Sequence, residues 1–222
     1  MFRTQTSNLG TIAPQSQPTG TRSYANLINA VRTQRIVLRA VAGVQVSVGA
    51  ATSLRNRGSV WALFDKVGLE ENGVDTVNFD GRMLRFLTEM HAPSALSASR
   101  AAVAVATYAL AETVIVHLAH PLAANPNETA YIESDPRQAL RAFVIYNGDT
   151  TKLFNAGGAT IAITASSVQV TVQQMYDDKR GNRPLLLPFY REIIQQITGT
   201  VTSFPIYLKT SRYLRAIAIQ QD

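Results

Sequence analysis

The chain has 222 residues, 46% hydrophobic and only 16% charged, with a formal charge of +6 and a pI near 9.8. That length suits one large all-β domain or two small ones, and so few charges imply a surface partly covered by neighbouring subunits. With no cysteine in the sequence, disulfides, thiolate metal sites and a Cys nucleophile are excluded.

Residues 1–26 are rich in Thr, Ser, Gln, Gly and Pro and nearly free of large apolar side chains. That composition predicts an extended N-terminal arm that orders against a neighbour. The first sixty residues carry Arg3, Arg22, Arg32, Arg35, Arg39, Arg55 and Arg57 and no acid. The arginines are spaced and form no basic run, which favours a solvated face over a nucleic-acid or lipid-headgroup site. A short helical turn is expected within Ala25 to Thr33.

The organising stretch runs from Arg35 to Val48. Its even positions Ile36, Leu38, Ala40, Ala42, Val44, Val46 and Val48 are all apolar. Strict alternation is the signature of a strand with one dry face, and a helix would scatter these residues around its axis. Either one long bent strand or two joined at Gly43 satisfies the pattern, and a second sheet must cover it.

Asn56-Arg57-Gly58 and Glu71-Asn72-Gly73 read as turns. Between them Val60, Trp61, Phe64 and Val67 fit helical spacing, with a strand as the alternative, and the lone Trp61 is expected as a core anchor beside Phe64. Val74 onward suits a strand, Asp80-Gly81 a tight turn, and Met83, Leu84, Leu87 and Met90 one face of a short helix closed by Pro93.

Ala101 to Ala119 is apolar enough to be tested as a membrane span. Glu112 near its middle would be costly in hydrocarbon, and its Val, Thr and Tyr content predicts a buried strand or two instead. Inside a barrel Glu112 needs a partner, expected from the arginines of the first third. A long loop with three prolines follows, of the kind found at functional or subunit contacts. Further strands are expected at Leu140 to Tyr146, Ala159 to Thr164 and Val168 to Gln173. Asp177 to Pro184, DDKRGNRP, reads as a linker. Beyond it come a helical turn at Tyr190 to Ile194 and strands near Val201 to Leu208 and Tyr213 to Ile219. Eight or more strands, one short helix and long connections predict an all-β jelly-roll barrel. The expected organisation is an arm over 1–26, a barrel over 27–178, and a linker with C-terminal strands over 179–222.

No reactive constellation emerges. His117 and His120 would point to opposite faces of a strand, and His91 stands apart, so no metal site is expected. The acid pairs Glu70-Glu71 and Asp177-Asp178 sit in predicted turns, where solvation accounts for them. Phosphate-loop, dinucleotide and nucleophile-elbow patterns are missing. Asn127-Glu128-Thr129 matches a glycosylation acceptor without the secretory route it needs. No catalytic, cofactor-binding or metal-binding residue is singled out, and no cofactor is expected.

The order of long strand, RNRG turn, VWALFDKVGL and then VNFDGRMLRFL resembles the opening of the first barrel in double jelly-roll major capsid proteins. Corticoviruses, tectiviruses and related bacteriophages use these to enclose internal membranes. FYREIIQQITGTVTSFPIYLKTSRYLRAIAIQ is similar to the beginning of a second barrel there. The resemblance implies a non-enzymatic virion capsid protein that self-assembles, as trimers, with neighbouring capsid subunits. It also implies contact of the basic N-terminal arm with membrane or other virion proteins, and no sequence-specific nucleic-acid binding. Fewer than forty residues after Arg183 are too few for eight strands, so 179–222 either starts a second barrel or completes the first. The alternative is a carbohydrate- or receptor-binding jelly-roll module, for which Tyr131 with Asn125 and Asn127 is the candidate platform.

Overall fold

The computed structural model describes residues 5–48, 52–54, 59–91, 102–103, 105–118, 132–133, 139–155 and 159–177. Its strands in chain order are β1 (Gln5–Ile12), β2 (Arg22–Asn26), β3 (Arg32–Val48), β4 (Thr52–Leu54), β5 (Phe64–Glu71), β6 (Val74–Phe79) and β7 (Ala102–Val103). Then come β8 (Ala106–His117), β9 (Ile132–Glu133), β10 (Leu140–Tyr146), β11 (Phe154–Asn155), β12 (Thr160–Ile163) and β13 (Gln169–Asp177). Helix α1 (Gly81–His91) lies between β6 and β7.

Strand β3 is one continuous strand of 17 residues. Residues 32–41 pair with β13 and 44–48 with β12. The opposite edge of β3 pairs with β8 over 35–46, and every one of these pairings is antiparallel. Strand β1 joins the outer edge of β13, giving the order β1-β13-β3-β8. The second sheet runs β2-β10-β5-β6, and β11-β4-β7 make a small third one. Apart from the β5–β6 hairpin, successive main strands cross between the two large sheets, so the eight of them wind into a jelly roll.

Alternation explains the core. Ile36, Leu38, Ala40, Ala42 and Val44 are fully buried, and Val170, Val172, Val114 and Val116 continue the same dry face on the flanking strands. Val67, Leu69, Ala142 and Val144 face them from the second sheet. A 3-10 turn at Val60–Leu63 closes one end and leads straight into β5. Trp61 is fully buried there, its ring 5.2 Å from that of Phe64. Gly43 does not divide β3. It lets the strand approach the 164–167 turn that separates β12 from β13, since a Cβ on it would stand 3.0 Å from the Cβ of Ser167.

The expected arm over 1–26 needs correction, because residues 5–12 and 22–26 are the first two strands of the barrel. Both are sheet edges. An edge strand is held by backbone hydrogen bonds, so its outward residues stay polar and the composition of a loose tail is compatible with it. In β1 only Ile12 is buried, and Pro14 just beyond it is buried too. The helical turn expected within 25–33 is replaced by the end of β2 and an irregular connection in which Ala30 takes a positive φ of 62°. The expected elements after residue 178 lie outside the described residues.

Candidate functional site

Two charged clusters stand out among the described residues, one beneath α1 and one on the outer face of the second sheet. The first cluster fastens α1 to the barrel. Asp80 starts the helix: its Oδ1 accepts from the Arg82 N–H at 2.8 Å and its carbonyl from the Leu84 N–H at 3.0 Å. Gly81 then has to be glycine, because a Cβ would stand 2.1 Å from the Trp61 carbonyl oxygen. One turn on, Arg85 donates from Nε to Glu112 Oε1 at 3.0 Å and from Nη1 to Glu89 Oε2 at 2.8 Å. Ser59 donates its hydroxyl to the other oxygen of Glu112 while accepting the Trp61 N–H. Thr88 accepts the Ile115 N–H at 3.0 Å, a group on the edge of β8 that faces away from β3. The helix therefore covers that stretch of open strand edge, which would otherwise invite pairing with another chain.

Glu112 lies on the inner face of β8, opposite Ala40. Burial raises its carboxyl above the ordinary glutamate range, against the pull of the Arg85 guanidinium. The expected partner from the first third of the chain is thus replaced by Arg85. Residues Leu84, Arg85 and Thr88 are the buried side of α1, whereas Met83 and Leu87 are only partly buried and Met90 is 55% exposed.

The second cluster lies on the outer face of the sheet β2-β10-β5-β6. Phe143 stacks across Gly68, where a Cβ would come within 2.9 Å of its ring. The Arg22 guanidinium covers the ring at 4.4 Å, and Tyr24 meets it edge-on at 6.5 Å between centroids. Arg22 also forms a two-pronged pair with Asp75 at 2.7 and 2.8 Å. Glu70 at the centre is buried and accepts from Arg22, Tyr24 and Arg141 at 3.0, 3.1 and 2.6 Å. Burial opposes its charge, but these three donors hold its carboxyl below the usual range. Glu70 is therefore no solvated turn residue. Strand alternation was the available signal: with Val67 and Leu69 inward, Gly68 and Glu70 must face out together.

The remaining residues of interest do not converge. His117 is half-buried on β8 opposite Arg35, and the His91 side chain and all of His120 lie outside the described residues. So do Tyr131, Asn125, Asn127, Glu128, Thr129 and Asp178. Among the described residues no group of His, Cys, Asp and Glu could hold a metal ion, and no helix is long and apolar enough to cross a membrane. The apolar segment at Ala101 to Ala119 contains β7 and β8.

No protein-family model matches the sequence, and no curated protein matches it. Solved structures do. The major capsid protein in "Crystal Structure of the STIV MCP" aligns with a TM-score of 0.54 at 14% identity, over 78% of this chain and 48% of that one. A chain of the Sulfolobus Turreted Icosahedral Virus atomic structure gives 0.52 at 13% identity, over 78% and 45%. PBCV-1 VP54, fitted into a reconstruction of the virophage Sputnik, gives 0.51 at 12%, over 80% and 42%. The chain thus spans less than half the length of each of these double jelly-roll proteins. At such identities the likeness is one of fold: the barrel built here is a jelly roll of the kind found in viral major capsid proteins.

Proposed function

We propose that this protein is a structural subunit of a viral capsid, assembling through trimers into an icosahedral shell around a membrane or genome. The observation that carries the reading is the winding itself. Sheets ordered β1-β13-β3-β8 and β2-β10-β5-β6, with a helix between β6 and β8, align with three viral capsid structures. Low charge supports it, since shell subunits cover much of their surface with one another. The role is non-enzymatic, and the partners are other capsid subunits. The eight main strands of the two large sheets are in place by Asp177, so we read 179–222 as a linker leading to further strands and not as the completion of the first barrel. Electron microscopy of the purified chain tests this: shells or hexagonal arrays of trimers are expected, and discrete monomers under all assembly conditions would overturn it.

One observation favours a second reading, a glycan- or receptor-binding module. Tyr24 is 40% exposed and lies between Arg22 and Arg141, the aromatic and polar mixture that sugar platforms use. Binding on a glycan array that Tyr24→Ala abolishes, in a protein that forms no particles, would select it.

A further inference from the structure

Strand β1 is made of two unlike parts. Gln5, Thr6 and Asn8 are exposed and Ser7 is half-buried, and these four pair with residues 173–176 of β13. The register then shifts, and pairing resumes with Thr11 opposite Thr171 and Ile12 opposite Val170. Beyond the shift, side chains anchor the chain. Ile12 and Pro14 are buried, and Gln15 accepts the Val168 N–H at 2.9 Å and donates to the Thr164 carbonyl at 3.4 Å.

Gly10 sits at that shift with a φ of 103°, a region open to glycine and strained for other residues. A Cβ on it would meet nothing within 4 Å, so the backbone can turn there without displacing a packed neighbour. Lifting residues 5–9 about Gly10 gives up four backbone-paired positions at a sheet edge. Its one apolar cost is Leu9, which packs against the core from a partly buried position. Segments with so little buried surface open locally, far below the free energy of global unfolding. Ile12, Pro14 and Gln15 meanwhile hold the following turn on the barrel.

Lifting bares the backbone of residues 173–176, an edge that takes up another strand. A second copy of the chain carries the segment already fitted to it. Thr6 stands beside Met175, Asn8 stands beside Gln173, and the Tyr176 hydroxyl donates to Gln5 Oε1 at 3.1 Å. Exchanging identical strands restores each of these pairings, so association of the two chains sets the balance. We propose that residues 5–9 swing out at Gly10 and pair with β13 of a second copy, which gives its own segment in return. In dilute solution each barrel keeps its own strand, because the tethered segment has the higher effective concentration. Crowding many copies together tips the balance towards exchange. The inference goes beyond the capsid reading: it concerns one strand shared between two copies and holds whether or not closed shells form.

The cysteine-free sequence makes the test direct. Full-length Thr6→Cys and Met175→Cys proteins are prepared separately, then oxidised alone and as an equal mixture over a range of concentrations. The expected result is a disulfide-linked dimer in the mixture, several-fold above either protein alone and rising with concentration. Met175→Cys mixed with Val74→Cys, which is 66% exposed but on β6, should stay at background. Adding Gly10→Ala to both partners strains the closed bulge and should raise the mixed dimer further. Thermal melts of each variant confirm that folding is retained. In the wild type, those amides of residues 6–8 that bond to β13 should exchange with deuterium far faster than the amides linking β13 to β3. Equal protection of the two sets would overturn the hinge. A mixture no richer in dimer than the single variants at any concentration, or no richer than the Val74→Cys control, would overturn the exchange. Particles without mixed dimers would sink the exchange and leave the capsid reading intact; mixed dimers without particles would do the reverse.

Discussion

Arg85 and Glu112 meet at 3.0 Å with each side chain only 8% exposed, one on the helix and the other on the inner face of β8. Removing one member leaves the other buried and uncompensated, which costs ~3–5 kcal/mol. Arg85→Ala is therefore expected to lower stability by about that amount in chemical denaturation. It should also speed hydrogen exchange at the Ile115 amide, which Thr88 covers. A neutral Arg85→Ala would show that the helix is held by its apolar contacts alone.

The same glutamate gives a pH dependence of defined sign. Its folded-state pKa lies above its unfolded value because burial dominates, with Glu89 adding repulsion and Arg85 opposing. The folded protein then binds the proton more tightly, so the stability contribution of Glu112 falls as pH rises from the unfolded to the folded pKa. The Tm difference between wild type and Glu112→Gln should be most favourable to wild type at the acid end of that window and shrink towards neutrality. A difference that grows with pH would contradict the assignment.

Glu70 should behave in the opposite way. Its carboxyl is held low by Tyr24, Arg141 and Arg22 against the effect of burial. Its contribution is present above the ordinary glutamate pKa and is lost as pH falls through the lowered value. Glu70→Gln is expected to be less stable than wild type at pH 7 and to lose less on acidification. Parallel acid-unfolding curves for the two proteins would remove Glu70 from the account.

Trp61→Ala should cost ~3–5 kcal/mol, the range for truncating a fully buried large aromatic, because the indole fills the closed end of the barrel against Phe64. Calorimetry checks it, and an effect below about 1 kcal/mol would not fit a side chain with no exposed surface.

Gly81→Ala tests the seating of the helix. The new methyl would meet the Trp61 carbonyl oxygen at 2.1 Å, so the first turn must shift, at a cost of ~1–3 kcal/mol. Because that turn rests on the 3-10 turn of Trp61, near-UV circular dichroism should change as well. An unchanged tryptophan signal would place the strain elsewhere.

Side-chain periodicity made the middle of the barrel readable before any coordinates. β3 and β10 announce themselves because one face of each is continuously dry, and α1 because Met83, Leu84, Leu87 and Met90 recur at helical spacing. Leu84 is buried and Met83 and Leu87 pack against the core from partly buried positions, but their spacing gave no sign that Arg85 and Thr88 would also be buried, where they meet Glu112 and an edge N–H. The first two strands were illegible for a different reason. Backbone pairing at a sheet edge needs no particular side chains, so Gln5–Ile12 and Arg22–Asn26 keep the composition of a tail. Of the charged sites, the partner of Glu112 could not be named from sequence, since a 27-residue separation leaves no local pattern. Glu70 could have been found from the alternation of Val67 and Leu69.

Strand β1 pairs with β13, and Tyr176 reaches back to Gln5 across 171 residues of sequence. On the ribosome the first strand has no sheet to join until the last has emerged. At about 5–20 residues per second that takes roughly ten to thirty seconds. During that interval one edge of β3 also waits for β13, while its apolar face is already made. Non-local pairing of this kind folds slowly and is prone to aggregate while incomplete. The polar side chains of β1 then serve synthesis as well as the finished barrel: the segment that waits longest is among the least sticky in the chain.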